Sequence, residues 1–398
     1  MENTDVLRAP LVVGPIELPH RLAVSPMCTY AAAEGFATDF HLVHLGRLAL
    51  GGAALTMVEA TAVEPQGRIS HHDLGIWSDD HVPGLRRIAD FLSTHGSIPG
   101  IQLGHAGRRA SVREPWRAGA PLDDTDAAAG YAPWTVEGPS ALPAGPGWPT
   151  PDALDESGIR RSIARWVEAA ERAVSAGFRI VELHGAHGYL LHEFLSPVAN
   201  ARTDAYGGDA ERRMRYPLEV VAAVREAVGT NAALAYRLSA VDGVAGGLTV
   251  EETAVFARRL QDAGVDLIDV SSGGVSTDRS IETRVRRGFA FHADFSRRIR
   301  ESVDVPVATV GLVVEPEQAR LLVASGDADL ILLGRTVLDD PNWPHHAMRR
   351  LGDASFESWD VRFGSALGPH AALIERLGAA GETPLSRFRP QADAHRPG

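Results

Sequence analysis

The chain of 398 residues contains no lysine; apart from histidine, every basic side chain is arginine. Enzymes that hold a carbonyl substrate or pyridoxal phosphate as a lysine Schiff base are therefore excluded, because no other side chain supplies that amine. Cysteine occurs once, at Cys28. Neither an intrachain disulfide nor an iron–sulfur cluster held by this chain's thiolates can form. No apolar run approaches the roughly 20 residues needed to span a bilayer, so no membrane partner is expected. Basic charge is outweighed as well. The formal net charge is −12, which opposes a nucleic-acid partner, since that would need a basic surface. The first residues include Glu2 and Asp5 and lack a basic-then-apolar signal pattern, so a cytoplasmic location is expected.

What is present is the material of a large folded core: 44% of residues are hydrophobic and 23% charged. Eight short apolar runs recur, at 22–24, 54–59, 99–103, 179–183, 233–238, 266–270, 306–310 and 329–333. Amphipathic stretches of helix length lie between them, among them 157–176, 210–228, 250–263, 292–303 and 315–325. Eightfold alternation of strand and helix predicts an α/β fold, a TIM (β/α)8 barrel, over residues 1–352. A doubly wound open sheet is the alternative. It would want a glycine-rich dinucleotide turn after its first strand, and S-P-M-C-T-Y at 25–30 is not one. The longest irregular segment, 111–156, follows the third strand and is expected to cover part of the C-terminal barrel face. Residues 353–398 form a C-terminal extension, with one helix expected at 368–378 and a frayed end.

Polar chemistry is concentrated just past the fourth run, where His184, His187 and Tyr189 are separated only by Gly185, Ala186 and Gly188. Two imidazoles and a phenol at the C-terminal end of a parallel strand are placed to grip and protonate a small polar group. The histidines read equally well as hydrogen-bonded core residues. A zinc site, with His192 or Glu193 helping, is disfavoured because H-x-x-H lacks the i, i+4 helical spacing, and no metal is expected.

In a barrel, the residues past the other strands share the same cup. They include Ser25, Pro26, Met27, Cys28 and Tyr30 after the first, Ala60 after the second, Gln102 on the third and Arg237 on the fifth. Gly311 follows the seventh strand, and Gly334 and Arg335 follow the eighth, where barrels often bind phosphate through backbone amides and a forked guanidinium. No paired carboxylates and no metal cluster are expected in the cup, so the reactivity must come from something held by its phosphate. FMN fits: it has one phosphate, and its ring edge wants a cation (Arg237) and an amide (Gln102). For Arg237, a salt bridge to a neighbouring aspartate is the competing reading.

Five motifs together resemble the old yellow enzymes, FMN-dependent ene-reductases. They are S-P-M-C-T-Y at 25–30, V-E-A-T-A-V-E-P-Q-G-R at 58–68, I-Q-L-G-H-A-G-R at 101–108, H-G-A-H-G-Y-L-L-H-E-F-L-S-P at 184–197 and N-A-R-T-D-A-Y-G-G at 200–208. The cysteine and tyrosine after the first strand, and a second histidine in the pair, resemble the branch with xenobiotic reductases and thermostable ene-reductases. The resemblance implies that Ser25, Pro26, Met27, Cys28, Ala60, Gln102, Arg237, Gly311, Gly334 and Arg335 line FMN, with Cys28 tuning its potential. It implies that NAD(P)H is the co-substrate and an activated alkene the small-molecule partner. It implies further that His184 and His187 bind the substrate carbonyl, that Tyr189 donates a proton, and that Tyr30 touches the substrate. A homodimer or higher homo-oligomer is expected. A residue of the extension (Trp359, Arg362 or Arg387) would complete a neighbouring pocket. Arg109 departs from the lysine frequent in this branch, and 111–156 is longer than in compact members. The rival readings are a tRNA-dihydrouridine-synthase-like FMN barrel, opposed by the acidic charge, and a flavin-binding protein without turnover.

Overall fold

Each of the eight apolar runs forms a strand: β1 (Leu22–Val24), β2 (Leu55–Ala62), β3 (Ile98–Gly104), β4 (Ile180–Gly185), β5 (Ala233–Ser239), β6 (Leu267–Ser271), β7 (Val307–Thr309) and β8 (Leu330–Leu333). These strands come from a computed structural model that describes residues 6–278, 285, 287–352 and 355–386. They pair in parallel and in sequence order, and β8 returns to β1 with Leu333 opposite Val24, closing the barrel. Closure leaves no unpaired edge, and β2, β4, β5 and β6 are buried throughout. The sequence expectation misplaces mainly the end of β2. That strand continues to Ala62 past a bulge between Val58 and Ala60.

Helices cover the barrel because their apolar residues recur at helical spacing. In the helix Glu156–Ser175 the buried positions Ile159, Ser162, Trp166, Ala169, Ala170 and Ala173 follow one face. Its first turn is closed by Asp155, whose side chain accepts from the Gly158 amide. Trp166 is fully buried and donates its indole N–H to Tyr216 Oη at 3.3 Å, tying this helix to the next, Ala210–Val228.

Two features had no sequence expectation. A hairpin, Leu11–Val13 with Ile16–Leu18, buries Leu11, Val13, Ile16 and Leu18 against barrel residues such as Leu55, Met57, Leu267 and Leu330. It closes the N-terminal end of the barrel. Its turn needs Gly14 at φ +52°, where a Cβ would lie 2.5 Å from the Asp266 carboxyl carbon. The segment 111–156 is also less irregular than its composition suggests. It holds a short helix, Asp124–Ala128, and a parallel pair, Glu137–Gly138 with Asp152–Ala153. Beyond the barrel, the helix Val361–Ala379 is longer than expected and has no buried residue.

Candidate active site

The site is built on the exit of β4. A Cβ on Gly185 would meet Tyr236 Oη at 2.1 Å, so only glycine lets the strand leave over that ring. The chain then turns through His187 (φ +59°) and Gly188 (φ +74°), both left-handed. For histidine that conformation costs on the order of 1–2 kcal/mol and persists only where surroundings hold it. Ser239 Oγ accepts the His187 amide at 3.1 Å, and Arg109 donates to the His187 and Gly274 carbonyls. Tyr189 ends the turn at the N-cap of the helix Leu190–Leu195. The three side chains named from the sequence come together: the His184 and His187 rings lie 5.1 Å apart, and Tyr189 meets His184 edge-on at 4.8 Å.

Electrostatics fix the protonation of these groups. Burial, then the Arg237 charge, hold His184 and His187 well below the usual imidazole range, so both are neutral at pH 7. His184 Nδ1 accepts the Ala186 amide at 3.3 Å, which leaves its proton on Nε2. That atom lies 3.3 Å from His187 Nδ1, and His187 Nε2 is 2.6 Å from Ser271 Oγ. Burial raises the Tyr189 phenol above its usual range, so it is a proton holder at neutral pH. Burial, then the charges of Glu59 and Asp73, push the Cys28 thiol up, which makes it a poor nucleophile.

Below this cup lies a polar layer set by strand register. Gln102 stands opposite Glu182, and His184, Arg237 and Asp269 form the next row. Gln102 Nε2 donates to Glu182 Oε1 at 2.7 Å, and Arg237 Nε pairs with Asp269 Oδ2 at 3.0 Å. The salt-bridge reading of Arg237 is thus correct as far as Nε goes. Beneath the cup, where none was looked for, two carboxylates are buried in this layer, Glu182 and Asp269. They lie within runs read as apolar, and the twofold alternation of a strand turns them inward. Burial, then the nearby Asp269 charge, push the Glu182 carboxyl well above the usual range.

The residues proposed to hold FMN fit that group. Gln102 has a carbonyl and a second N–H beyond its bond to Glu182, and Arg237 has its terminal nitrogens beyond the Nε contact. The Ser25 amide donates to the Leu333 carbonyl at 3.0 Å, which sets Ser25, Pro26 and Met27 beside Gly334. Small Ala60, opposite Gln102, leaves room above the strands. Gly311, at φ +120°, could not carry a side chain, because its Cβ would meet the Phe291 ring at 2.8 Å. The Arg335 guanidinium is exposed and has no hydrogen-bond or ion-pair partner among the described residues, a donor set suited to a phosphate.

Segment 111–156 reaches the cup: Trp116 packs edge-on to Tyr30 at 5.7 Å, and Trp134 and Trp148 pack in one cluster with Cys28, Tyr30 and Tyr189. Trp359 stacks on His345 at 4.4 Å, and Arg362 pairs with Asp360 and reaches His95. His95 precedes β3, so both sit at the opposite end of their own barrel; Arg387 lies outside the described residues. Glu64, His105 and Glu137 bring donor atoms within 4.8 Å of one another. His105 Nδ1 accepts the Gly107 amide at 3.0 Å, so the proton sits on Nε2, 3.1 Å from Glu64 Oε1, and that nitrogen is poorly suited to a metal. The sequence reading assigned no role to Ser271, Ser239 or Asp242, and weighed His192 only as a helper in a disfavoured zinc site. For the two serines, a small hydroxyl at a strand's C-terminal end was the available signal.

A flavin-suited cup at the C-terminal face of a closed barrel defines a class, the FMN-dependent barrel oxidoreductases. A family model described as the NADH:flavin oxidoreductase / NADH oxidase family matches residues 7–353. The NADPH dehydrogenase of Geobacillus thermodenitrificans is 38% identical over 349 residues, covering 87% of this chain and 95% of that protein. That of Bacillus licheniformis is 40% identical over 338 residues, with 84% and 92% covered. A solved structure of morphinone reductase aligns with a TM-score of 0.70 at 26% identity, covering 87% of this chain and 89% of that one. The chain belongs to this family, the old yellow enzymes, and is an FMN-dependent oxidoreductase using NAD(P)H.

Proposed function

We propose that the enzyme reduces the C=C bond of α,β-unsaturated carbonyl compounds, or of similarly activated alkenes. FMN held in this cup would supply the hydride chemistry, taking hydride from NAD(P)H and giving it to the substrate β-carbon. The observation that carries the reading is the convergence of two neutral imidazoles beside an edge-on phenol. His184 presents its Nε2–H. His187 presents Nδ1–H when the Ser271 hydroxyl donates to Nε2, 2.6 Å away. Two N–H groups 3.3 Å apart then meet one oxygen and stabilise the negative charge that grows on it as an enolate forms. Tyr189, protonated because burial raises its pKa, delivers a proton to the α-carbon and recovers one from solvent afterwards. Gln102, Arg237, Gly311, Gly334 and Arg335 hold FMN, with Ser25, Pro26, Met27, Cys28 and Ala60 along its ring. Tyr30 and the tryptophans of segment 111–156 limit water and shape the substrate space.

Anaerobic addition of NADPH to the yellow protein should bleach it, and 2-cyclohexenone should then restore the colour with formation of cyclohexanone. Bleaching without recovery would refute the alkene-reductase reading.

A further inference from the structure

His192 follows the active-site turn and was not needed for the cofactor or the substrate, yet it is fully buried and bonded at both nitrogens. Its Nδ1 accepts the Gly188 amide at 2.8 Å, and its Nε2 lies 2.7 Å from Asp242 Oδ1. Only one assignment satisfies both contacts: the ring is the Nε2–H tautomer, donating to a carboxylate. Asp242, 1% exposed, is itself fixed. Its Oδ2 accepts Ser196 Oγ at 2.7 Å and the Leu248 amide at 2.8 Å, and its own amide donates to the Leu248 carbonyl at 3.2 Å. The loop after β5 is therefore drawn closed around this carboxylate. The Gly188 amide is buried and needs an acceptor there, and the His192 imidazole supplies it.

We infer that His192 and Asp242 are positioning residues of the reaction: the carboxylate fixes the ring, the ring holds the Gly188 amide, and the amide keeps the left-handed turn that presents His187 and Tyr189. The turn is flanked on its other side by Gly274, whose carbonyl oxygen would lie 2.2 Å from a Cβ on Gly188, so it is clamped between β4, β5 and β6 elements. Without the bond to His192, the turn keeps only the Ser239 and Arg109 contacts against a costly region of backbone space, and the aim of the phenol at the cup loosens. The inference rests on the alkene-reductase reading only for its kinetic consequence, not for the geometry.

Two substitutions separate the two bonds. Glutamine at 192 reaches Asp242 but offers Gly188 no acceptor at the Nδ1 position; asparagine offers the acceptor but does not reach Asp242. In FMN-loaded His192→Gln, hydrogen exchange of the Gly188 amide should speed up about tenfold, the equivalent of one hydrogen bond. Reoxidation by 2-cyclohexenone should slow about tenfold relative to reoxidation by a quinone, which needs no proton on carbon. His192→Asn should recover most of the Gly188 protection. A general loss of stability would slow both oxidants alike and lower FMN content. Wild-type exchange at Gly188 and a wild-type enone-to-quinone ratio in His192→Gln would overturn the inference. If Tyr189→Phe, run alongside, also leaves that ratio unchanged, the proton-donor reading has failed, and exchange at Gly188 alone decides the clamp.

Discussion

Ser271 offers the sharpest test of how the substrate oxygen is held, because a hydroxyl that donates to His187 Nε2 leaves the proton on Nδ1. With Oγ 2.6 Å from Nε2, the hydroxyl can donate there and leave Nδ1–H facing the cup beside His184 Nε2–H. Ser271→Ala removes that donor without adding bulk at the end of β6. A buried imidazole nitrogen left unpaired costs about 1–3 kcal/mol. At roughly 1.4 kcal/mol per factor of ten, the enone dissociation constant should rise between about fivefold and a hundredfold. Ser271→Thr keeps the hydroxyl and should lie near wild type. The assay is the enone dependence of the anaerobic reoxidation rate, with FMN content measured on the same sample. Wild-type enone affinity in Ser271→Ala at full FMN occupancy would refute the tautomer argument.

Arg335→Ala should purify with most of its FMN lost, read from the ratio of flavin to protein absorbance, because an exposed guanidinium with no partner among the described residues is proposed as the phosphate's fork; full occupancy would place the phosphate elsewhere. Glu193 tests the energetics of the buried turn. Burial, opposed by Arg108, raises its carboxyl from 4.5 to about 8. The folded state therefore keeps a proton that the unfolded chain releases. The stability of that neutral form is fully present below about pH 4.5 and lost as pH rises towards 8. Glu193→Gln should gain on wild type by a few kcal/mol between pH 5 and pH 8 in chemical denaturation, and parallel profiles would contradict the assignment.

The barrel was legible because each strand is a short apolar run and each helix carries a 3.6-residue stripe, as in 157–176. The N-terminal hairpin was not, since three-residue strands such as Leu11–Val13 give too little alternation to read. His184, His187 and Tyr189 stood out as polar residues among glycines at a strand end. Glu182 and Asp269 did not, because a charged residue inside an apolar run points inward or outward by register alone, and register is a property of the closed barrel. The His192–Asp242 pair spans 50 positions, and no local pattern announces it. Segment 111–156, expected to cover part of the C-terminal barrel face, packs Trp116 against Tyr30. Its small helix and strand pair escaped because five-residue and two-residue elements are stabilised by packing rather than by propensity.

The central claim is that Tyr189 protonates the substrate carbon, and Tyr189→Phe tests it with the ring packing retained. Stopped-flow on each half-reaction should show FMN bleaching by NAD(P)H near the wild-type rate and reoxidation by a quinone unchanged. Reoxidation by 2-cyclohexenone should fall by roughly 10²–10⁴-fold, the usual cost of a lost general acid. Equal slowing of NAD(P)H bleaching and enone reoxidation, or no slowing of either, would contradict the account.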